Sequence, residues 1–352
     1  MGRRKKGEDV SGWVILDKPD DMTSTHAVAA VRRVFNAQKA GHAGTLDPLA
    51  SGVLPIALGE ATKLTGRMLN GDKTYAFTVA FGVQTDTLDL EGKVVAESPV
   101  RPTLAEIEAV LPRFTGPIEQ VPPAYSALKV DGQRAYDLAR AGEAIELAGR
   151  SVTVHSLSLL PSPLAGEDSA ACSQGELAQL GEGGGMAQSR DPSPTSTSQQ
   201  AGKSSYPLPQ GERAESITLV AHVSKGTYIR SLARDIALAL GTVGHVTMLR
   251  RIKAGPFTLE QAISLDKLNE VGKGAPLENV LLPLEAGLDD IPALTLSPEQ
   301  ASMVRQGRVL TGLPQTNGLY WAKAGLVPTA LMEIFSGEAR VVRGFNLPDV
   351  AE

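Results

Sequence analysis

The stretch of this sequence best suited to chemistry runs from Gly41 to Gly52 and reads GHAGTLDPLASG. Its three glycines and one proline disfavour a regular helix, and the proline biases Asp47 toward an extended backbone. The pattern therefore predicts a rigid loop that displays a carboxylate between Leu46 and Leu49. The alternative is an ordinary Asp-Pro turn in which Asp47 only hydrogen-bonds nearby backbone, a frequent use of this residue type.

A cation on a predicted helix is the second candidate for chemistry. The apolar residues between positions 229 and 240 recur with helical spacing, which predicts one buried face. Thr227 is placed to cap this helix and Gly241 is placed to end it. Arg230 on this helix is either a functional cation or part of an ordinary solvated face.

The elements around these two candidates predict an α+β protein, because strands and isolated helices do not alternate strictly. Two helices are predicted before residue 120, one after a cap at Thr23 or Ser24 and one after the capping box that starts at Thr103. Strands are predicted at five places: Trp13 to Leu16, Lys73 to Val83, Ser151 to Leu159, Ile217 to Val223 and Val246 to Ile252.

The C-terminal residues 290–348 predict a small β-rich domain. Ser297 is followed by Pro298 and then by Gln300, a spacing typical of a capped helix start. Three strand-like segments follow it, namely Gly318 to Lys323, Leu331 to Phe335 and Ala339 to Phe345.

Length and cysteine content exclude several classes of protein. The 352 residues are enough for two or three domains, and the single cysteine, Cys172, excludes an intrachain disulfide and a thiolate metal cage. We find no apolar run of about 18 residues and no secretory signal, so a cytoplasmic protein is expected. Residues 1–11 are predicted to be a basic flexible tail.

Residues 161–216 are predicted to be a disordered, low-complexity insertion. Thirty of these 56 residues are Pro, Gly, Ser or Gln. The segment therefore has too few apolar groups to offset the entropy it would lose on ordering. The insertion carries most of the formal net charge of −5, so the remaining chain is nearly neutral. The acidic average therefore does not exclude a nucleic-acid partner. The Gly202-Lys203-Ser204 triplet lacks the strand and first glycine of a phosphate-binding loop.

The Gly41–Gly52 loop is one of seven motifs that occur in a characteristic order. The other six are Leu16-Asp17-Lys18-Pro19, Gly59-Glu60-Ala61-Thr62-Lys63, Asp72-Lys73-Thr74-Tyr75, Gln120-Val121-Pro122-Pro123-Ala124-Tyr125-Ser126-Ala127, Ser224-Lys225-Gly226-Thr227-Tyr228-Ile229-Arg230 and Leu249-Arg250-Arg251. In this order they resemble the tRNA pseudouridine synthase B family, whose members modify the T-loop uridine of tRNA, position 55. Ser51 stands where the family commonly has Thr.

The resemblance implies the pseudouridine synthase fold, with a central, mostly antiparallel mixed sheet flanked by helices. The catalytic domain would comprise residues 12–160 and 217–289, and residues 120–150 would be its RNA-clasping segment. Residues 290–348 would form a small C-terminal domain similar to an RNA-binding one.

The resemblance also implies the reaction and its catalytic residues. Asp47 would be the catalytic carboxylate that acts on a flipped-out uridine, at the sugar C1′, at C6 of the base or on a sugar proton. Because burial alone disfavours a charged carboxylate, Arg230 would be its cationic partner. Tyr75 would lie against the uracil, although a core tyrosine between strands is the more ordinary role.

Further family matches imply substrate-binding residues. His42 would enter the RNA loop, whereas Tyr228 and Leu249 would line the pocket, although both would serve equally well as core residues. Lys18 and Lys63 belong to a scattered set of basic residues that would bind phosphates if they face one groove. The remainder of that set is Arg32, Arg33, Lys129, Lys225, Arg250, Arg251 and Lys253.

No cofactor and no metal are expected. Asp86, Asp89 and Glu91 lack calcium-loop spacing and are explained by a turn. The short basic N-terminus and the absence of a long basic tail favour a stand-alone enzyme that uses no guide RNA, and the family resemblance implies a monomer. The alternative function is a non-catalytic protein that grips the tRNA elbow or helps it to fold.

Overall fold

The computed structural model of the protein describes residues 7–126, 128–130, 132–141, 147–160, 213–274 and 276–347. Cys172, the Gly202-Lys203-Ser204 triplet and most of the expected insertion lie outside these residues. The chain divides into two compact units. The first unit comprises residues 1–72 and 253–352, and the second comprises residues 73–252.

The described residues form 18 strands and seven α-helices. The strands are β1 (Gly12–Lys18), β2 (Ala40–His42), β3 (Ser51–Leu58), β4 (Lys73–Phe81), β5 (Val83–Thr85), β6 (Val94–Glu97), β7 (Gly116–Gln120), β8 (Lys129–Val130), β9 (Gln133–Arg134), β10 (Arg150–Leu159), β11 (Ser216–Val223), β12 (Gly244–Ala254), β13 (Phe257–Thr258), β14 (Ile263–Ser264), β15 (Ala293–Thr295), β16 (Gly318–Ala324), β17 (Val327–Phe335) and β18 (Glu338–Gly344). The helices are α1 (Ser24–Val34), α2 (Thr65–Asn70), α3 (Leu104–Val110), α4 (Ala135–Arg140), α5 (Ile229–Ala239), α6 (Leu265–Gly274) and α7 (Pro298–Arg305).

The first unit contains a mixed sheet around β1. This strand runs antiparallel to β3 and parallel to β14, while β2 extends the sheet as an antiparallel partner of β3. Its residues Trp13, Val14 and Leu16 are fully buried, because apolar side chains occupy successive positions rather than alternate ones. Trp13 also exchanges two backbone hydrogen bonds of 2.8 Å with Leu282, which ties a late part of the chain to β1.

The small C-terminal sheet also belongs to the first unit. Its strand order is β15-β16-β17-β18, and every pairing in it is antiparallel except that of β15 with β16. Helix α7 begins with the predicted capping box, in which Ser297 accepts a hydrogen bond from the Gln300 amide. Ala301 and Val304 of this helix are buried in one core with the sheet. The prediction of a small β-rich domain is therefore confirmed.

The second unit is built on the antiparallel run β7-β10-β11-β4, with β12 next to β4 in strand order. Helix α5 presents Leu232, Ala233 and Ile236 to the core as the spacing predicts. The capping box at Thr103 is also present, with Glu106 as the reciprocal partner. Mixed sheets with isolated helices and a separate C-terminal sheet confirm the α+β class.

Two local predictions were wrong. Helix α5 is capped by Tyr228 without a side-chain hydrogen bond, because the Thr227 hydroxyl donates instead to the Ser224 carbonyl, at 3.0 Å. The last residues of the expected insertion also belong to the fold. Ala214 is buried and its amide donates to the Pro102 carbonyl at 2.8 Å, so the end of this segment packs against the fold.

We find no helix among the described residues that is long and apolar enough to cross a bilayer.

Candidate active site

The candidate residues are distributed between the two units. Lys18, His42, Asp47 and Lys63 belong to the first unit, whereas Tyr75, Tyr228, Arg230 and Leu249 belong to the second.

The loop that carries Asp47 connects β2 to β3, and hydrogen bonds fix its backbone at the residues next to the aspartate. Gly44 has a φ of 118° and Gly52 has a φ of 100°, which residues with a Cβ rarely adopt, so two of the predicted glycines are required. The buried Ser24 hydroxyl accepts from the Leu46 amide at 2.8 Å and donates to the Leu46 carbonyl at 3.0 Å. Asp47 itself is half-buried, and its carbonyl accepts from the Ala50 amide.

Lys18 holds the other side of this loop. Its ammonium is fully buried and donates to the carbonyls of Pro19, Met22 and Pro48, at 2.7, 2.6 and 3.1 Å. A cation in this position cannot reach a phosphate of bound RNA, so the structure does not support the phosphate-binding role predicted for Lys18. Charge alone suggested a surface role. The structure shows instead that this lysine fixes the backbone directly after Asp47.

His42 and Lys63 occupy different surroundings in the same unit. His42 is half-buried at the end of β2, opposite Ile56. The Lys63 ammonium donates to the Glu60 carboxylate at 2.6 Å and to the Gly344 carbonyl at 2.8 Å, yet its side chain is partly exposed. A phosphate contact by Lys63 therefore stays a prediction.

Arg230 is buried in the second unit and is held by acceptors on three sides. One guanidinium nitrogen donates to Asp89 at 2.9 Å and to the Thr87 carbonyl at 2.8 Å. The other donates to the Tyr125 carbonyl at 3.0 Å. The alternative of a solvated helix face is thus wrong, because only 6% of Arg230 is exposed.

Asp89 is the residue of this site that sequence reasoning missed. It is 1% exposed, and besides Arg230 its carboxylate accepts from the Thr87 hydroxyl and the Glu91 amide. The preceding Leu88 has a φ of 64°, a left-handed conformation that costs a residue with a Cβ roughly 1–2 kcal/mol. Such strain persists only where surrounding contacts enforce it. Charge counting treated Asp89 as a turn residue, and the turn is real, but it delivers the counterion of Arg230.

Tyr125 and Asp86 extend this cluster. The Tyr125 hydroxyl donates to the Asp86 carboxylate at 3.4 Å. Desolvation raises the pKa of the Tyr125 phenol, and the adjacent Asp86 charge raises it further, so the phenol stays protonated at neutral pH. The Asp86 carboxylate also accepts from the Lys93 amide, which makes both acids of this turn acceptors for protein donors.

The three remaining candidates of the second unit lie on separate elements. Tyr75 is half-buried on β4, opposite Ala221 of β11. Tyr228 immediately precedes α5, and the Gln120 side chain binds both its amide and its carbonyl. Leu249 is 6% exposed on β12, as expected for either a core or a pocket residue.

The basic residues proposed for RNA binding differ in their exposure. Arg251 is 1% exposed, which removes it from the set of phosphate-binding candidates. Arg32 and Arg33 are exposed in the last turn of α1. In the predicted RNA-clasping segment, Arg140 of α4 stacks over the Tyr136 ring at 5.0 Å, while the side chains of Lys129 and Arg134 lie outside the described part.

Two histidines of the second unit could offer metal ligands. His155 of β10 and His222 of β11 lie with ring centroids 4.8 Å apart. The absence of a functional metal stays a prediction.

Comparison with known families decides the assignment. A family model described as TruB family pseudouridylate synthase, N-terminal domain, matches residues 32–176. A second, described as the tRNA pseudouridylate synthase B C-terminal domain, matches residues 230–289. The chain belongs to the TruB family of pseudouridylate synthases. The two matches contain Asp47, Tyr75, Arg230 and Leu249, and they end before the small C-terminal sheet.

Relatives of high identity span nearly the whole chain. A protein of Novosphingobium aromaticivorans named tRNA pseudouridine synthase B is 60% identical over 97% of this chain and 100% of its own length. A protein of the same name from Zymomonas mobilis is 49% identical over 95% of this chain and 96% of its own.

Solved structures support the fold. One, described as an H/ACA ribonucleoprotein bound to a substrate RNA containing 2′-deoxyuridine, superposes with a TM-score of 0.62 at 21% identity. The match covers 99% of this chain and 92% of that one. The pseudouridine synthase fold expected from the motifs is therefore confirmed.

Proposed function

We propose that this protein converts the T-loop uridine of tRNA, position 55, to pseudouridine, with Asp47 as the catalytic carboxylate. Membership of the family supports the coarser part of this statement, a pseudouridine synthase that acts on tRNA. The observation that supports the role of Asp47 is that side chains hold its loop on both sides. Ser24 holds the residue before Asp47 and Lys18 holds the residue after it.

The reaction requires little more than a correctly held carboxylate. The bond from N1 of the uracil to C1′ of the ribose breaks, the base rotates, and C5 forms the new bond to C1′ and then loses its proton. Asp47 starts this sequence by attacking C1′, by adding to C6 or by removing a sugar proton. All three routes need an ionised carboxylate and a base that has left the stack.

Arg230 supplies the positive charge in this proposal. Held by Asp89, Thr87 and Tyr125, its guanidinium has a fixed direction before substrate binds. A preorganised cation stabilises developing negative charge without reorganising during the reaction. Tyr75 would stack on the uracil, a contact worth about 1–3 kcal/mol.

Substrate binding is assigned to the remaining candidates. His42 enters the RNA loop, Tyr228 and Leu249 line the base pocket, and Lys63 contacts phosphate. Lys18 is reassigned from phosphate binding to the support of the Asp47 loop. Residues 120–150 clasp the RNA, and residues 290–347 add a surface for it.

The enzyme in this proposal works alone. It needs no cofactor or metal, uses no guide RNA, acts as a monomer, and is located in the cytoplasm with its tRNA substrate. The isomerisation is redox-neutral and transfers no group to a second molecule, which is consistent with a mechanism based on side chains only.

The test is the Asp47→Asn variant, assayed by tritium release from tRNA that carries 5-tritiated uridine. We expect turnover to be abolished and tRNA affinity to change by less than about threefold, since the amide keeps the shape and loses the nucleophile. Asp266→Asn, an exposed change in the first turn of α6, is the matched control with full activity.

Two outcomes would contradict the proposal. Turnover near the wild-type rate in Asp47→Asn would remove this residue from catalysis. Tight tRNA binding by a wild-type protein that releases no tritium would instead favour the non-catalytic binding function. Mapping of the modified uridines in the treated tRNA identifies the position.

A further inference from the structure

Tyr228 is held by an amide side chain that replaces a missing helix cap. Gln120 is 1% exposed, and its carboxamide donates to the Tyr228 carbonyl at 3.1 Å and accepts from the Tyr228 amide at 2.8 Å. The α5 helix has no side-chain hydrogen bond at its N-cap. The paired contact therefore fixes the backbone at the entrance to α5 from both sides.

A second residue holds the ring of the same tyrosine. The Arg150 guanidinium lies over the Tyr228 ring, with Cζ 4.9 Å from the centroid. Arg150 is the cross-strand partner of Gln120, so the two side chains leave the sheet on one face. Neighbouring positions of β7 and β10 thus hold one residue by its backbone and by its ring.

The same end of β7 also holds the first turn of α5. The Ser231 hydroxyl donates to the Val121 carbonyl at 2.8 Å, and the Arg234 guanidinium donates to it at 3.1 Å. Arg230 lies between these contacts and Tyr228. A displacement of Tyr228 would therefore move the turn that presents Arg230.

The chemistry of Arg150 suits a positioning role. One guanidinium nitrogen, Nη2, is buried and has no hydrogen-bond partner among the described residues. A buried donor without an acceptor is unfavourable, so the contact with the ring is the interaction that favours this conformation. Lysine has a smaller, more strongly hydrated cation and stacks less well.

We infer that Gln120 and Arg150 form a clamp that positions Tyr228, and with it the start of α5, for the isomerisation of the bound uridine. Both are positioning residues that act through Tyr228. The inference rests on the proposed function, because it assigns the support of a pocket residue in that reaction.

The test compares Arg150→Met with wild type in single-turnover tritium release at saturating enzyme. We expect the rate to fall about tenfold, the size of a cation–π contact of intermediate strength, with the Kd for tRNA within about twofold. Arg150→Lys should retain more, with a loss of about threefold. Arg113→Met, which removes one exposed arginine of the same unit, is the matched control with the wild-type rate.

A double-mutant cycle separates positioning from general stability. In a Tyr228→Leu background, Arg150→Met should change the remaining rate by less than about twofold, because the ring it positions is gone. Gln120→Glu, which places an oxygen against the Tyr228 carbonyl, should lower the rate in an otherwise wild-type protein. If Arg150→Met fails to fold, judged by circular dichroism, the Lys variant is used in the same cycle.

Three results would overturn the inference. They are a wild-type rate in Arg150→Met, losses that multiply in the double mutant, and weakened tRNA binding at an unchanged single-turnover rate. The last result would make Arg150 a direct RNA contact. A wild-type protein without activity would overturn the proposed function instead, so the two failures are distinguishable.

Discussion

The candidate residues of the two units are fixed by opposite means. In the first unit, the protein holds the backbone on both sides of Asp47, through a neutral hydroxyl and a lysine bonded to carbonyls. In the second unit, it holds the functional group itself, because the Arg230 guanidinium is bound to Asp89 and to two carbonyls. The difference is that Asp47 is positioned through the backbone of its neighbours, whereas Arg230 is positioned through its own guanidinium.

The largest effect is expected where the cation loses its counterion. Asp89→Asn keeps the shape but leaves Arg230 without its buried carboxylate, and the loss of one partner of a buried pair costs about 3–5 kcal/mol. We expect the single-turnover rate to fall at least about 100-fold, together with a lower midpoint in urea denaturation. Both are measured on the purified variant.

Asp86→Asn is the matched control for this change. It lies in the same turn and accepts from the Lys93 amide and the Tyr125 hydroxyl rather than from Arg230. Its rate should fall less than about tenfold, because neither of these hydrogen bonds involves Arg230. Equal losses in the two variants would show that the turn matters only as a whole. They would contradict the claim that Arg230 is positioned through its guanidinium contacts.

A smaller effect is expected where the loop is held by a neutral group. Ser24→Ala removes the hydroxyl that binds both backbone groups of Leu46, at a cost of about 1–3 kcal/mol. We expect kcat to fall about tenfold and KM to stay within about twofold, since the loop loses its alignment while the RNA surface is unchanged.

Thr23→Val tests whether this loss comes from the helix instead. Thr23 caps the same helix by accepting from the His26 amide, an interaction worth about 1 kcal/mol. This variant should lower the melting temperature and keep the wild-type kcat. If both variants have the same kcat, Ser24 acts only through α1.

The smallest effect on chemistry is expected at an ion pair that holds neither Asp47 nor Arg230. In the first unit, the Glu60 carboxylate accepts from Lys63 at 2.6 Å and from the Asn346 amide at 2.7 Å. Burial opposes ionisation of Glu60, but these two hydrogen bonds outweigh it and lower its pKa below the usual 4.5. The stabilisation is therefore present above about pH 4.5 and is lost as the pH falls through the lowered pKa.

Glu60→Gln should accordingly lower the urea midpoint at pH 7 and leave kcat within about twofold. The stability difference between variant and wild type, about 1–3 kcal/mol at neutral pH, should shrink as the pH is lowered below 4.5. A difference that is constant from pH 7 to pH 3 would show that the carboxylate charge is not what anchors Asn346.

Local pattern predicted more of the fold than of the site. The capping boxes at Thr103 and Ser297 and the apolar face of α5 follow from neighbouring residues, and all three were correct. Asp89 could not be found in this way, because it meets Arg230 across 141 positions of sequence. That contact depends on how α5 and the turn after β5 come together, which no local spacing specifies.

Lys18 and Thr227 illustrate the other limit. The sequence shows that a lysine is charged but not that three carbonyls converge on it in the interior. It likewise shows that Thr227 could cap α5 but not that its hydroxyl finds the Ser224 carbonyl first. In both cases the side chain had a choice of partners, and tertiary packing decided it.

The link between β1 and Leu282 has a consequence for biosynthesis. The second unit is one continuous stretch, residues 73–252, whereas the first needs residues that the ribosome adds later. Strand β1 of the first unit cannot gain its partners β14 and Leu282 until most of the chain has emerged. A nascent chain stalled near residue 252 thus contains every residue of the arginine cluster but lacks the partners of β1, so we expect the unit that carries Asp47 to fold only late in translation.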